Sequence, residues 1–139
     1  MPVRNFATFA SRLPDDAVER DDEIVTPGGC NVMTAFAARL RELGYATSEV
    51  AQHSFYGWSF DARGPEGRIW CVLQWAGSPW LLIVQDRRWF FERAFRAGTF
   101  TTMLRLCDSA LRSLDHVSGI EWFTEREYGE HVRARHRAG

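Results

Sequence analysis

YGWSFDARGPEGRIWCVLQWAGSPWLLIVQD, residues Tyr56 to Asp86, divides into three apolar runs separated by two turn-rich gaps. Tyr56 to Ala62, Arg68 to Trp75 and Trp80 to Asp86 are rich in the aromatic and β-branched residues that fit a pleated sheet. Arg63-Gly64-Pro65-Glu66-Gly67 and Ala76-Gly77-Ser78-Pro79 hold residues that strands avoid. The stretch therefore predicts an antiparallel meander. Pairing Ala62 with Arg68 across the first gap sets Phe60 opposite Trp70 and Trp58 opposite Val72, whereas pairing Trp75 with Trp80 sets Leu73 opposite Leu82 and Cys71 opposite Val84. One face then shows Tyr56, Trp58, Phe60, Trp70, Val72, Leu81 and Ile83, rimmed by Gln74 and Gln85. The other shows Ile69, Cys71, Leu73, Trp75, Trp80, Leu82 and Val84, with Gly57, Ser59 and Asp61 on its first strand. Both faces are apolar, so both require a cover.

Outward from this meander, the pattern changes to helical spacing. From Cys30 or Asn31 to Leu43, the residues Val32, Met33, Phe36, Ala37, Leu40 and Leu43 form one stripe, and Gly44 suits the left-handed cap that ends a helix. A second stripe, Met103, Leu104, Cys107, Ala110, Leu111 and Leu114, predicts a helix from Thr99 to Leu114. Thr47 to Phe55 and Ile120 to Phe123 read as strands, and Ile24-Val25 as an edge strand. Phe6, Phe9 and Leu13, three and four apart, fit a short helix ending before Pro14. The fold class expected is α+β, a mainly antiparallel meander sheet with two amphipathic helices packed on one face. Leu40, Leu73, Ile83, Leu104 and Leu111 are expected in its core. Residues 1–23 are expected as an N-terminal acidic segment, 24–124 as the single core domain and 125–139 as a charged C-terminal tail able to form a frayed helix.

At 139 residues the chain has the size of one domain, large enough to bury roughly 68% of its unfolded surface. A net charge of −1 lacks the basic footprint of most nucleic-acid binders. No run reaches the roughly 18 apolar residues of a membrane span, and the N-terminus has no signal-peptide core. Cys30, Cys71 and Cys107 are scattered, without CxxC or Cys/His spacing, which fits a cytoplasmic protein with no metal and no cofactor. His131 and His136 are five apart, the wrong spacing for two ligands on one helical face.

Chemistry-bearing residues are few. The acidic run Asp15, Asp16, Glu19, Asp21, Asp22 and Glu23 lacks the spacing of a calcium loop and reads as a solvated segment. Gly28-Gly29 precedes a helix N-terminus but belongs to no phosphate-binding motif. His53, Asp61 and Cys30 are the least poor candidates for catalysis, although no nucleophile elbow accompanies them and the chain reads as more a binder than an enzyme. Arg87 to Arg96 interleaves arginines with rings, a pattern found in single-strand nucleic-acid binding, but here read as a core-completing segment with wet arginines and no nucleic-acid partner.

The Pro27-Gly28-Gly29 turn into a helix, the strand Gly57-Trp58-Ser59-Phe60, the paired strands ending in Trp80-Leu81-Leu82-Ile83 and the closing Ile120-Glu121-Trp122 resemble small uncharacterised bacterial α+β proteins. Some proteins of that kind serve as immunity partners of secreted toxins. The resemblance covers about residues 24 to 123, implies a binding role and transfers no functional residue. With the second apolar face needing a cover, the expectation is a non-enzymatic domain that binds a protein partner or itself as a homodimer, through Leu73, Trp75, Trp80 and Leu82. The alternative is a small-ligand-binding or sensing module with an aromatic-lined pocket.

Overall fold

A computed structural model describes residues 3–14, 16–53, 57–75, 79–87 and 97–138, with the backbone alone at 75, 97 and 138. The Trp89 to Phe95 segment, the strand end at 54–56, the turn at 76–78 and the Trp75 side chain lie outside the described residues. The strands are β1 (Phe6–Ser11), β2 (Val18–Arg20), β3 (Glu23–Thr26), β4 (Ala46–Thr47), β5 (Ala51–His53), β6 (Gly57–Gly64), β7 (Gly67–Trp75), β8 (Trp80–Asp86) and β9 (Val117–Phe123). The helices are α1 (Cys30–Glu42), α2 (Ala97–Arg112) and α3 (Glu125–Ala138). Seven strands form one antiparallel sheet in the order β4-β6-β7-β8-β1-β9, with β5 also on β6, and β2 and β3 form a separate two-stranded ribbon. The fold class is α+β, as expected.

The β7–β8 register is the expected one, with Trp75 opposite Trp80, Leu73 opposite Leu82 and Cys71 opposite Val84. The β6–β7 register differs by one residue. Gly64 pairs with Gly67, so the turn is the two residues Pro65 and Glu66 rather than five. Both glycines belong to the strands for steric reasons. A Cβ on Gly64 would lie 2.4 Å from a Tyr45 ring carbon, and Gly67 has φ 141°. The one-residue difference turns β6 over: Trp58, Phe60 and Ala62 share a face with Leu73, Cys71 and Ile69.

That face is the core. α1 lies on it through Val32, Met33, Phe36, Ala37 and Leu40, with the Phe36 and Phe60 ring centroids 5.8 Å apart, and α2 adds Met103, Leu104, Cys107, Ala110 and Leu111. Each large apolar side chain fully removed from water contributes roughly 1.5–3 kcal/mol. Of the expected core residues, Leu40, Leu73, Leu104 and Leu111 are buried and Ile83, on the other face, is half-buried. Leu43 departs from its stripe and is 46% exposed, because the helix ends at Glu42 and the chain turns through Gly44 at φ 98°.

Phe6 to Ser11 is a strand and not a helix, and it sits inside the sheet between β8 and β9. Ala7 and Phe9 point to the core opposite Leu82 and Trp80, whereas Phe6 and Thr8 face the other side. The segment expected outside the core thus completes it. The tail is likewise integral: α3 packs on the second face, its Tyr128 ring 5.6 Å from Phe6 and 6.2 Å from Phe123. Thr124 and Glu127 start α3 with a reciprocal capping box, the Thr124 amide donating to Glu127 Oε1 at 2.8 Å and the Glu127 amide to Thr124 Oγ1 at 3.1 Å. Among the described residues no helix is long and apolar enough to cross a membrane.

Candidate interaction surface

The residues expected to meet a partner are placed elsewhere. Leu73 and Leu82 are 1% and 0% exposed, in the core beneath α1 and α2, and Trp80 packs against that core. The expectation placed the two helices on the opposite face; they lie on the face of Leu73 and Leu82 instead, so these two leucines offer no surface to a partner. Of the catalytic candidates, Cys30 is separated from the other two. Cys30 opens α1 on the core side of the sheet, while the His53 ring stands edge-on to Trp70 at 5.0 Å on the opposite side, and Asp61 pairs with Trp70 there. Arg87 lies over the same Trp70 ring at 4.7 Å. Cys71 is buried, and desolvation pushes its thiol well above the usual range, which makes it inert. Among the described residues no three His, Cys, Asp or Glu side chains gather as metal ligands would.

The Gly28-Gly29 turn is fully used within the chain. Gly29 caps α1 at φ 112° and has no room for a side chain, since a Cβ would meet Leu73 Cδ2 at 2.9 Å. Its amide donates to Asp16 Oδ1 at 2.7 Å and the Asn31 amide to Asp16 Oδ2 at 2.9 Å. A carboxylate of the chain itself therefore occupies the anion position at this helix N-terminus. The sequence signal for this partner is indirect: a helix opened by glycines has no side-chain cap of its own, which leaves its first amides open to a nearby acid.

Asp16 and Gly29 bracket the β2–β3 ribbon, so their bond closes its base. Beside it, Trp58 Nε1 donates to the Pro27 carbonyl at 2.9 Å. Beyond that fixed base the ribbon is wet on both sides. Its turn residues Asp21 and Asp22 both have positive φ, 55° and 65°, the shape of a two-residue type I′ turn, between the paired Arg20 and Glu23. Asp tolerates this conformation better than most side chains. The register runs from Glu19 opposite Ile24 to Val18 opposite Thr26, leaving Val25 as the extra residue of a β-bulge. Val18, Ile24 and Val25 are 48%, 50% and 44% exposed. Only Leu43 joins them as an exposed large hydrophobic among the described residues. Apolar side chains are thus set in an acidic frame of Glu19, Asp21, Asp22 and Glu23.

Clefts among the described residues lie elsewhere. One of about 430 Å³ runs beside α3, where Thr8, Pro79, Tyr128, Val132, Arg135 and His136 line it. Another of about 410 Å³ beside α2 includes Val3, Leu104, Arg105, Asp108 and Trp122, the Trp122 indole donating to Asp108 Oδ1 at 2.9 Å. Among the described lining residues the first has the Tyr128 and His136 rings and the second the Trp122 indole. No protein-family model matches the chain, and neither a curated protein nor a solved structure is measurably similar to it.

Proposed function

We propose that this protein is a non-enzymatic binding domain that engages another protein through the β2–β3 ribbon. One observation carries the reading: three of the four large apolar side chains that stand exposed among the described residues fall within eight residues, Val18 to Val25, on an element rooted at its base and otherwise in water. Exposed apolar side chains set among charged ones are the usual composition of a docking surface. Cys30 and the pair His53 and Asp61 stand on opposite sides of the sheet, which supports a binder over an enzyme. Three unpaired cysteines suit work in a reducing cytoplasm. The resemblance to small bacterial α+β proteins, some of which serve as immunity partners of toxins, supports the same class of function, with a cognate toxin or a second copy as the partner.

A photo-crosslinking amino acid at Ile24 tests the reading in living cells of the source organism, with Gln85 on the opposite side of the sheet as control position. The expected result is a discrete adduct from position 24 and none from position 85. Equal, diffuse labelling at both positions, or no adduct from 24, overturns the proposal.

A further inference from the structure

The formal charge of −1 conceals two opposite poles. Residues 18–25 carry Glu19, Asp21, Asp22 and Glu23 against Arg20 alone. Residues 131–137 of α3 carry Arg133, Arg135 and Arg137 with no acid, beside His131 and His136. The basic pole borders the cleft of about 430 Å³, whose apolar wall is Pro79, Val132 and the Tyr128 ring. Cleft and ribbon are therefore complementary in charge, basic to acidic, and Ile24 offers the apolar wall of the cleft an exposed side chain. The two are not joined within one molecule, because Val18, Ile24 and Val25 all stand in water.

We infer that the β2–β3 ribbon of one copy docks in the α3 cleft of a second copy. This deepens the proposed function and rests on its assignment of the ribbon as the docking element. Reciprocal docking, each ribbon in the other's cleft, brings opposite charges together at both contacts and closes a two-fold dimer. The bulge at Val25 and the short strands make the ribbon a poor template for strand addition, so the contact is made by side chains. Charge steering between the poles makes the association sensitive to salt.

Sedimentation velocity of the full chain over a concentration series is the test. The expected result is a monomer–dimer equilibrium that moves toward monomer as salt rises. Asp22→Arg/Glu23→Arg on the ribbon and Arg135→Glu/Arg137→Glu on α3 should each weaken association by about tenfold or more, and an equimolar mixture of the two should recover it. Should the α3 variant melt early, Arg133→Glu/Arg137→Glu tests the same pole. A wild type that stays monomeric throughout overturns self-docking, and so does a dimer indifferent to both reversals. A monomeric wild type that still forms an Ile24 adduct with a different protein leaves the broader binding reading standing, whereas absence of any adduct removes both.

Discussion

The β6–β7 and β2–β3 hairpins both turn through two residues, yet they occupy opposite extremes of the molecule. In the first, Phe60, Ala62, Ile69, Cys71 and Leu73 are buried at 2% exposure or less, and both strands have neighbours on either side in the sheet. In the second, Val18 to Val25 are exposed throughout, and the strands pair with nothing but each other. A two-stranded ribbon alone is marginal in water. The difference shows that hairpin geometry comes from the turn, whereas stability comes from what the strands press against. The core hairpin is held by apolar burial. The outer one is held by polar bonds at its base, Asp16 to the α1 amides and Trp58 to Pro27.

Truncating a core side chain gives the largest expected effect. Leu73→Ala should cost about 2–5 kcal/mol, because it removes a fully buried side chain that also closes over Gly29. Ile24→Ala, on the outer hairpin, should stay within about 0.5 kcal/mol of wild type. Urea melts of the two variants check the contrast directly. Similar losses would mean that the outer hairpin is packed in solution and that the two are not opposites.

The next effect concerns the root of the outer hairpin. Asp16→Ala removes the acceptor of two backbone amides and leaves the α1 N-terminus uncapped, at an expected cost of about 1–3 kcal/mol. Asp16→Asn should recover part of the loss, since an amide oxygen still accepts a bond. Hydrogen exchange in Asp16→Ala should quicken first at residues 18–31, before the β6–β7 amides respond. Uniform quickening over the whole sheet would show that the ribbon is no separate unit.

How much of this division was legible in the sequence depends on what fixed each element. α1 and α2 were, because their stripes keep one period over three turns or more and one face of the sheet needs them. The β8 register was, since Trp75 and Trp80 flank a short turn. Two failures have physical causes. Gly64 and Gly67 read as loop residues, but the Tyr45 ring needs a glycine beneath it, so the strands run further and β6 turns over. Phe6-Ala7-Thr8-Phe9 fits either period, and its place between β8 and β9 is decided by tertiary contacts that a short run cannot announce. The α3 start was legible and went unused, for Thr124 and Glu127 have capping-box spacing. At the candidate site, the acidic run and the Ile24-Val25 strand were visible. The pairing across Asp21-Asp22 was not, because aspartates at positive φ are uncommon.

α3 extends the comparison, being held on the sheet by rings and at its first turn by charge. Glu127 accepts from Arg4 Nε at 3.1 Å and from the Thr124 amide, and the Arg4 hydrogen bond, then the Thr124 amide, lower its carboxyl to about 2 from 4.5. A folded pKa below the unfolded one stabilises the fold above pH 4.5, and the contribution is lost as pH falls toward about 2. The pair is exposed, so the effect is modest and shrinks in salt. Melting of wild type and Glu127→Gln between pH 6 and pH 2 should show a gap that closes on acidification. A gap independent of pH would assign the role of Glu127 to packing.

The smallest effect is expected at the tip of the outer hairpin. Asp21 and Asp22 hold positive φ at a cost that Asn-Gly avoids, since that pair suits the type I′ turn best. Asp21→Asn/Asp22→Gly should therefore stabilise the ribbon by less than about 1 kcal/mol. Global melts should hardly move, because the ribbon adds little to the core, so the measurement is slowed exchange of amides 19 to 24. The substitution also removes two carboxylates from the acidic pole while leaving Val18, Ile24 and Val25 in place. Its two consequences oppose each other: a stiffer ribbon loses less entropy on docking, whereas a less acidic one is steered more weakly. At high salt the steering is screened and the stiffening remains, so self-association of the variant relative to wild type should rise with ionic strength. A ratio that stays flat would show that the aspartates serve the turn alone and that the charge of the ribbon has no part in recognition.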